Sequence, residues 1–455
     1  MSRTIEISRE FIDELREAIK ENDEKKALEL ITDFHAADIA DLYDDISIEE
    51  ARYLYLLLDG ERASDVLAEL DEDDRERFLE VLPGEVIAQK FIDHMDSDDA
   101  ADVIGDLSEE KKQEILLHLD DLEQAGDIVD LLGYDEDSAG GLMAKEMIKV
   151  NENWTILTCL KEMANQADEV DEVYYVYVVD DNNKLRGIVS LKKMLLSNNA
   201  TKVKTIIEDD IISVNTSTPG EEVAQIMVKY DLVAIPVVDS LGRLVGRITI
   251  DDIVDFIREE AERDYQMASG LTDEVEAGDK VLYITRVRLP WLFIGLLGGI
   301  LGALVLGRFE GSLKMYPEMA FFIPLIAAMG GNVGIQSSAI IVQGLANNTL
   351  KGESTIKRLL KEFLVALVNG LILAAIIFVY NFFVNDSFAL TLTVSASLLA
   401  VILFAALFGT FIPLILDSFK IDPALATGPF ITTMNDIIGL FMYMIIGRLL
   451  YGVFV

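Results

Sequence analysis

Asp436 stands in the last long apolar stretch of the chain, Leu425 to Val455, within Gly428-Pro429-Phe430-Ile431-Thr432-Thr433-Met434-Asn435-Asp436. A carboxylate near the middle of a membrane span costs at least ~2.5 kcal/mol, so it is expected to face a water path or a bound cation. Thr432, Asp436 and Gly439 fall at i, i+4 and i+7, which puts a hydroxyl, a carboxylate and bare backbone on one helix face. Asp422 is placed to cap this helix and Pro423 to occupy its first position. Pro429 is then expected inside the span, leaving the Leu425 carbonyl without its helical partner and open to a hydrated cation. An earlier span carries a second polar face in Met329-Gly330-Gly331-Asn332-Val333-Gly334-Ile335-Gln336-Ser337-Ser338. Asn332 and Gln336 lie four apart and point the same way, while the glycines also suit close helix approach. Together the two segments read as pore lining for a positively charged solute.

Charge is divided unevenly between the two halves of the chain. Leu289–Val455 contains eight Lys/Arg and eight Asp/Glu, so the whole net charge of −41 falls in positions 1–288, among 30 basic and 71 acidic residues. An acidic soluble half before a neutral apolar half implies a membrane domain with a soluble domain attached. Such acidity excludes nucleic acid as a partner and attracts cations. A single cysteine, Cys159, excludes an internal disulfide. His35, His94 and His118 are the only histidines, all in the soluble half, so the membrane half offers poor ligands to soft or borderline metals. Mg²⁺ prefers octahedral oxygen ligands and dehydrates reluctantly, so a wide site of carboxylate and carbonyl oxygens around its water shell suits it. Charge alone leaves Ca²⁺, Mn²⁺ and Co²⁺ open. No cleavable leader opens the chain, and the N-terminus is expected to stay in the cytoplasm.

Five apolar stretches, about 289–307, 319–346, 358–384, 389–416 and 424–454, are each long enough to cross ~30 Å of hydrocarbon. Their inner flanks carry Lys280, Arg286, Arg288, Lys351, Lys357, Arg358, Lys361 and Lys420, against Arg308 and Lys314 outside. That asymmetry places the C-terminus outside the cell membrane. With one central carboxylate per five-span chain, a twofold homodimer is expected to close the pore.

Residues 1–140 read as short acidic helices with an imperfect repeat at Ala37–Leu42, Ser64–Leu70 and Ala101–Leu107, the pattern of a small superhelix. A clearer duplication follows. Ile148-Lys149-Val150-Asn151 answers Ile212-Ser213-Val214-Asn215 at an offset of 64. Val178-Val179-Asp180 answers Val237-Val238-Asp239, and Leu185–Ser190 answers Leu244–Thr249, at an offset of 59. Each copy reads strand, helix, strand, turn, strand, helix. It resembles a tandem pair of CBS domains, in which Gly-x-x-Thr/Ser-x-x-Asp holds the ribose of an adenine nucleotide such as ATP. Copy two matches with Gly246, Thr249 and Asp252, whereas copy one has Lys193 in place of the Asp. From Asp251 an acidic helix leads to the membrane.

The order of these parts resembles the MgtE family of magnesium channels and transporters over essentially the full length. The resemblance rests on Tyr134-Asp135-Glu136-Asp137-Ser138-Ala139-Gly140-Gly141-Leu142-Met143, on Gly330–Ser337, and on Asp422–Pro429 through Asn435-Asp436. It implies a multidomain membrane protein: an α-helical superhelical N domain (1–140), an α+β tandem CBS pair (141–203 and 204–260), a connecting plug helix (251–280) and a five-helix transmembrane domain (285–455). It further implies a homodimeric Mg²⁺-selective pore with Asp436 as selectivity carboxylate, lined by Asn435, Thr432, Gly428, Pro429, Asn332 and Gln336. Cytosolic Mg²⁺ is expected to close the pore by bridging acids, among which Asp252, Glu260 and Asp264 match the family's sensor positions. Arg263 stands where another acid is expected, and Asp98, Asp99 and Asp102 are candidate N-domain ligands. The competing readings are a channel for another divalent cation and a membrane-anchored nucleotide or metal sensor that transports nothing. No phosphate-cradling loop or catalytic triad argues for an enzyme.

Overall fold

A computed structural model describes residues 8–166, 170, 173–272, 275, 280–346, 349–350, 354–384, 387–426 and 428–454. Expectations that fall on residues 1–7, on 273–274 and 276–279 of the connecting segment, and on Lys351, Thr427 and Val455 lie outside the described residues. The chain divides into two compact units, Met1–Ile257 and Arg258–Val455.

The first unit begins with short helices running from Arg9 to Leu131. Several of its acids cap the starts of helices. Asp23, Asp59 and Asp121 accept from first-turn N–H groups, and Ser47 with Glu50 forms a capping box. Successive helix pairs are tied by side chains that reach carbonyls about one repeat upstream. Arg62 donates to the Ile31 oxygen at 2.5 Å, Lys90 to that of Leu58, Lys111 to that of Leu82 at 2.6 Å, and Gln124 to that of Ile92 at 3.0 Å. These ties span 31, 32, 29 and 32 residues, a more regular period than the apolar repeat suggests.

Two three-stranded sheets follow. The first holds β1 (Lys149–Asn151), β2 (Val176–Val179) and β3 (Leu185–Val189); the second holds β4 (Val214–Asn215), β5 (Ala234–Val238) and β6 (Leu244–Thr249). In each, the first strand runs parallel to the second and the second antiparallel to the third. Even the register irregularity recurs, at Val178/Val179 and Val237/Val238. The turns after β2 and β5 need left-handed backbone at equivalent places, supplied by Asn183 (φ 60°) and Gly242 (φ 78°). These turns then pair: the Leu185 N–H donates to the Gly242 oxygen at 3.1 Å, and the Leu244 N–H to that of Asn183 at 2.9 Å.

The N domain shares one hydrophobic core with the second sheet, running from Leu15 and Phe78 through Met143 to Val237 and Ile253; the first sheet has its own core around Val150, Cys159 and Val178. The Tyr134–Met143 motif makes that join. Ala139 and Gly140 N–H groups donate to the Thr218 and Thr216 oxygens at 2.7 and 2.9 Å. A Cβ on Gly141 would lie 2.5 Å from the Asp135 oxygen, so bare backbone is needed there. The connecting helix is Ile250–Ser269, stopped by Gly270 in left-handed backbone (φ 86°).

The second unit contains all five expected spans: one (Val281–Arg308), two (Pro317–Ala346), three (Thr355–Val384), four (Phe388–Ser418) and five (Pro429–Tyr451). Spans two, four and five are 39–44% buried over their apolar windows, against 6% and 11% for spans one and three, so the former make the core. Small residues allow it: a Cβ on Gly409 of span four would strike the Gly334 oxygen of span two. The start of span five differs from the expectation. Asp422 does cap, accepting from the Ala424 N–H at 2.7 Å, but only a 3-10 turn, Pro423–Ala426. The long helix starts afresh at Pro429, its first residue. Proline there forfeits only an N–H that a helix start leaves unpaired, so it begins the span instead of breaking it.

Candidate functional site

In the membrane unit, Thr432 and Asp436 are half-buried on one face of span five, opposite a glycine of span two. A Cβ on Gly331 would lie 3.2 Å from Thr432 Cγ2 and 3.8 Å from Asp436 Oδ1. Glycine thus leaves the side of the carboxylate that faces span two without a covering side chain. Thr432 is held by the residue before the helix, its N–H and Oγ1 both donating to the Gly428 oxygen at 3.3 and 3.2 Å. Gly439, expected on the same face, packs instead against Val401 of span four, 3.2 Å from its would-be Cβ. Asn332 and Gln336 project together from span two and are exposed in the single chain.

Asn435 points elsewhere. It is 1% exposed, packed against Gly330 and Gly334, and neither amide atom has a hydrogen-bond partner among the described residues. It is not on the Asp436 face. Glu362 of span three escaped sequence reading; Ser337 Oγ of span two donates to its Oε1 at 2.6 Å. Its position just after Lys361 makes it look like part of the charged flank, although it falls inside an apolar stretch. Where the connecting helix ends, it meets the start of span five. A Cβ on Gly428 would lie 2.5 Å from the Ala268 oxygen, and one on Gly270 would lie 2.7 Å from Pro429 Cγ. On the same helix Glu260 is paired with Arg263 at 2.6 Å, while Asp264 follows one turn later, half-buried.

A second acidic constellation lies in the soluble unit, at helix Ser97–Gly105. Ser97 anchors it: its N–H and Oγ donate to the two Glu146 oxygens at 3.2 and 2.8 Å. Carboxylate oxygens of Asp96, Asp98 and Glu146 lie within 4.8 Å of one another, close enough to share one cation. Burial, then the charges of Asp99 and Asp252, drive the Asp98 carboxyl well above its ordinary range. Burial and Asp252 push Asp99 up to about 6, and burial and Asp99 push Asp102 up to about 7, with Arg75 opposing both. The Asp99 and Asp102 side chains nevertheless keep an exposed surface. Asp252 is raised by burial despite accepting from Thr249 N–H and Oγ1 at 2.9 and 2.6 Å. Asp98, Asp99 and Asp252 are therefore brought together. Asp96 and Glu146 were missed, since nothing local marks two acids 50 positions apart as neighbours.

Of the three nucleotide positions, Thr249 and Asp252 join each other at the start of the connecting helix. Gly246 is filled from behind: a Cβ would lie 2.7 Å from Met143 Sδ and 2.8 Å from the Ala144 oxygen. In copy one, Lys193 pairs with Glu208 at 3.4 Å.

Five spans, an uncovered intramembrane carboxylate and a soluble unit crowded with acids define a multi-pass cation transporter with an attached regulatory unit. Sequence profiles agree, matching a divalent cation transporter domain at 323–446, the MgtE intracellular N domain at 34–137, and CBS domains at 139–197 and 203–259. The magnesium transporter MgtE of Thermus thermophilus is 33% identical over 96% of this chain and 97% of its own. That of Bacillus subtilis is 31% identical over 86% of both chains. A crystal structure of the cytosolic domain of the Mg²⁺ channel MgtE in complex with ATP covers 54% of this chain and 99% of its own, at 32% identity and TM-score 0.51. The chain belongs to the MgtE family.

Proposed function

We propose that this chain is a Mg²⁺ channel of the cell membrane, closed by cytosolic Mg²⁺ bound to its own acidic domains. The observation that carries the reading is Asp436, uncovered beside Gly331 inside a span. A carboxylate so placed, with Thr432 beside it, suits a hydrated divalent cation, contacting its water shell. Asn332 and Gln336 support a homodimer. Exposed amides inside an apolar span are poorly placed against lipid, and a second copy across a twofold axis gives them a polar path to line. The soluble units and the start of the chain are cytoplasmic in this reading, and the C-terminus is outside.

Asp98, Asp99 and Asp252, with Asp96 and Glu146 alongside, form the sensor. Bound Mg²⁺ offsets their repulsion, and the connecting helix, seated on Gly428 and Pro429, holds the pore mouth shut. Removing Mg²⁺ restores the repulsion and loosens that hold. ATP is a further ligand in this reading, with Thr249 and Asp252 its contacts; the filled space at Gly246 restricts how it approaches. Transport, rather than catalysis, is the activity.

The test is Mg²⁺ flux through purified protein in liposomes with defined Mg²⁺ on each face. Influx should be high at micromolar Mg²⁺ on the soluble-domain side and shut at millimolar. Flux insensitive to that side would remove the sensor, and equal passage of Ca²⁺, Mn²⁺ or Co²⁺ would remove the selectivity. For the dimer, Asn332→Cys in a Cys159→Ser background should cross-link chains in pairs, because Cys159 is the chain's one cysteine.

A further inference from the structure

Beside the contact between the connecting helix and span five lies a pocket of about 590 Å³, lined among others by Gly270, Arg288, Trp291, Leu292, Gly295 and Pro429. Three features define its chemistry. Its walls are mainly apolar and open: Leu292 is 65% exposed, and a Cβ on Gly295 would meet nothing within 4 Å. Among the described residues that line it, Arg288 is the one charged side chain. Arg288 is exposed, makes no ion pair among the described residues, and has no acid among the residues that line the pocket, in a chain with 79 Asp/Glu. Its level is that of an interfacial belt, two turns into span one, where Arg and Trp meet lipid headgroups. Trp291 adds an indole N–H that is buried without an acceptor among the described residues.

We propose that this pocket holds an anionic phospholipid of the leaflet facing the soluble domain, its phosphate on Arg288 and an acyl chain along Leu292 and Gly295. The proposal rests on the reading of Val281–Arg308 as a membrane span beginning on the soluble-domain side. Apolar walls open toward the bilayer, with a lone guanidinium at their rim, match a lipid better than a soluble anion, which would leave the walls wet. Because Gly270 and Pro429 belong both to the pocket and to the seat of the connecting helix, a bound lipid braces that seat. By linkage, a ligand that favours the seated form lowers the Mg²⁺ needed to close the channel.

The experiment uses Trp291 as its own reporter. Only two tryptophans exist, so Trp154→Phe leaves Trp291 alone. The full-length protein is reconstituted with brominated phosphatidylglycerol or brominated phosphatidylcholine, which quench tryptophan at contact. Phosphatidylglycerol should be preferred about fivefold, the usual effect of one basic residue near an anionic surface. Arg288→Gln should bring the preference close to one, and Gly295→Leu, which fills the pocket without touching the charge, should do the same. Phosphatidylglycerol should also lower the closing Mg²⁺ concentration severalfold, and Arg288→Gln should abolish that shift without altering open-state flux. Equal quenching by both lipids in the parent would reduce the pocket to a plain apolar crevice. Unchanged preference in Arg288→Gln, or displacement by millimolar inorganic phosphate, would also overturn the proposal. Native mass measurement of lipid retained by the unmodified protein makes the same comparison without the Trp154 change. A protein that keeps the lipid preference but passes no Mg²⁺ sinks the channel reading and leaves this one standing.

Discussion

Asp436 and Asp252 are both carboxylates carried on a helix, and their surroundings differ in kind. Asp436 stands beside Thr432 and Gly331 and belongs to no acidic cluster among the described residues. Asp252 stands among Asp251, Asp98 and Asp99, and after burial the like charges of this set raise the carboxyls of Asp98, Asp99 and Asp252. A conducting site must release what it binds, so a lone carboxylate acting through a water shell suits it. A sensing site must change shape on binding, so it gathers charges that repel until a cation arrives. In the proposed function that difference separates permeation from gating, and each part of it can be broken alone.

The largest effect is expected at the conducting site. Asp436→Asn keeps the shape and removes the charge, and should lower Mg²⁺ flux in liposomes at least a hundredfold, a loss of roughly 3 kcal/mol or more. Cross-linked dimers and closure by Mg²⁺, followed by protease protection of the soluble unit, should persist. Normal flux in this variant would end the assignment.

Next is the sensor. Asp98→Asn with Asp252→Asn removes two of the mutually repelling charges, so the metal-free unit should be more compact and its response to Mg²⁺ weaker. Closure should move to at least tenfold higher Mg²⁺, with the order of permeating cations unchanged. A changed cation order would merge the two sites that the comparison keeps apart.

A smaller effect is expected from the packing that holds Asp436 in place. Gly334→Ala sets a methyl against the Asn435 amide, where nothing can yield cheaply. It should cost about 1–3 kcal/mol of stability, read as a lower melting temperature of the detergent-solubilised protein. Flux per folded channel should fall without a change in closing concentration. An unaltered melting temperature would show that spans two and five are not packed this closely.

The sequence told these regions apart unequally. The CBS duplication was legible because the copies keep a constant offset of 59 from Val178 to Val237 and on to Leu244–Thr249, although their central strands are buried on both faces. The five spans were legible from length and hydropathy. The N-domain period was blurred, because its regular feature is Arg62, Lys90, Lys111 and Gln124 reaching back to carbonyls, which apolar spacing does not record. Pro429 misled for a local reason: proline reads the same at a helix start as in its interior, and only Gly428, free to turn, decides for the start. Asn435 and Asp436 are adjacent letters about 100° apart around a helix, so one faces Gly331 and the other Gly334. Contacts of long sequence separation, such as Ser97 with Glu146, leave no local trace.

The smallest expected effect is of pH, and it tests whether the soluble carboxylates work as a coupled set. Asp99 and Asp102 have carboxyls pushed up to about 6 and about 7 by burial and by neighbouring acids. The sign follows from which form the folded unit disfavours. An acid raised above its ordinary value is harder to ionise in place, so its destabilisation is complete above the raised value and fades as pH falls toward the ordinary one. Without Mg²⁺, acidification from pH 8 to pH 5 should therefore compact the soluble unit and increase its protease protection. With Mg²⁺ the dependence reverses, because the metal needs the ionised forms that protons compete for. Between pH 8 and pH 6 the Mg²⁺ concentration giving half protection should rise by a factor between about two, if only Asp99 must ionise, and about twenty, if Asp102 must as well. Asp99→Asn should flatten the smaller part of that rise and Asp102→Asn the larger, while Asp436→Asn leaves the whole profile in place. A midpoint equal at pH 8 and pH 6 would mean that the metal meets carboxylates already ionised and independent, and the contrast with the solitary Asp436 would lose its physical basis.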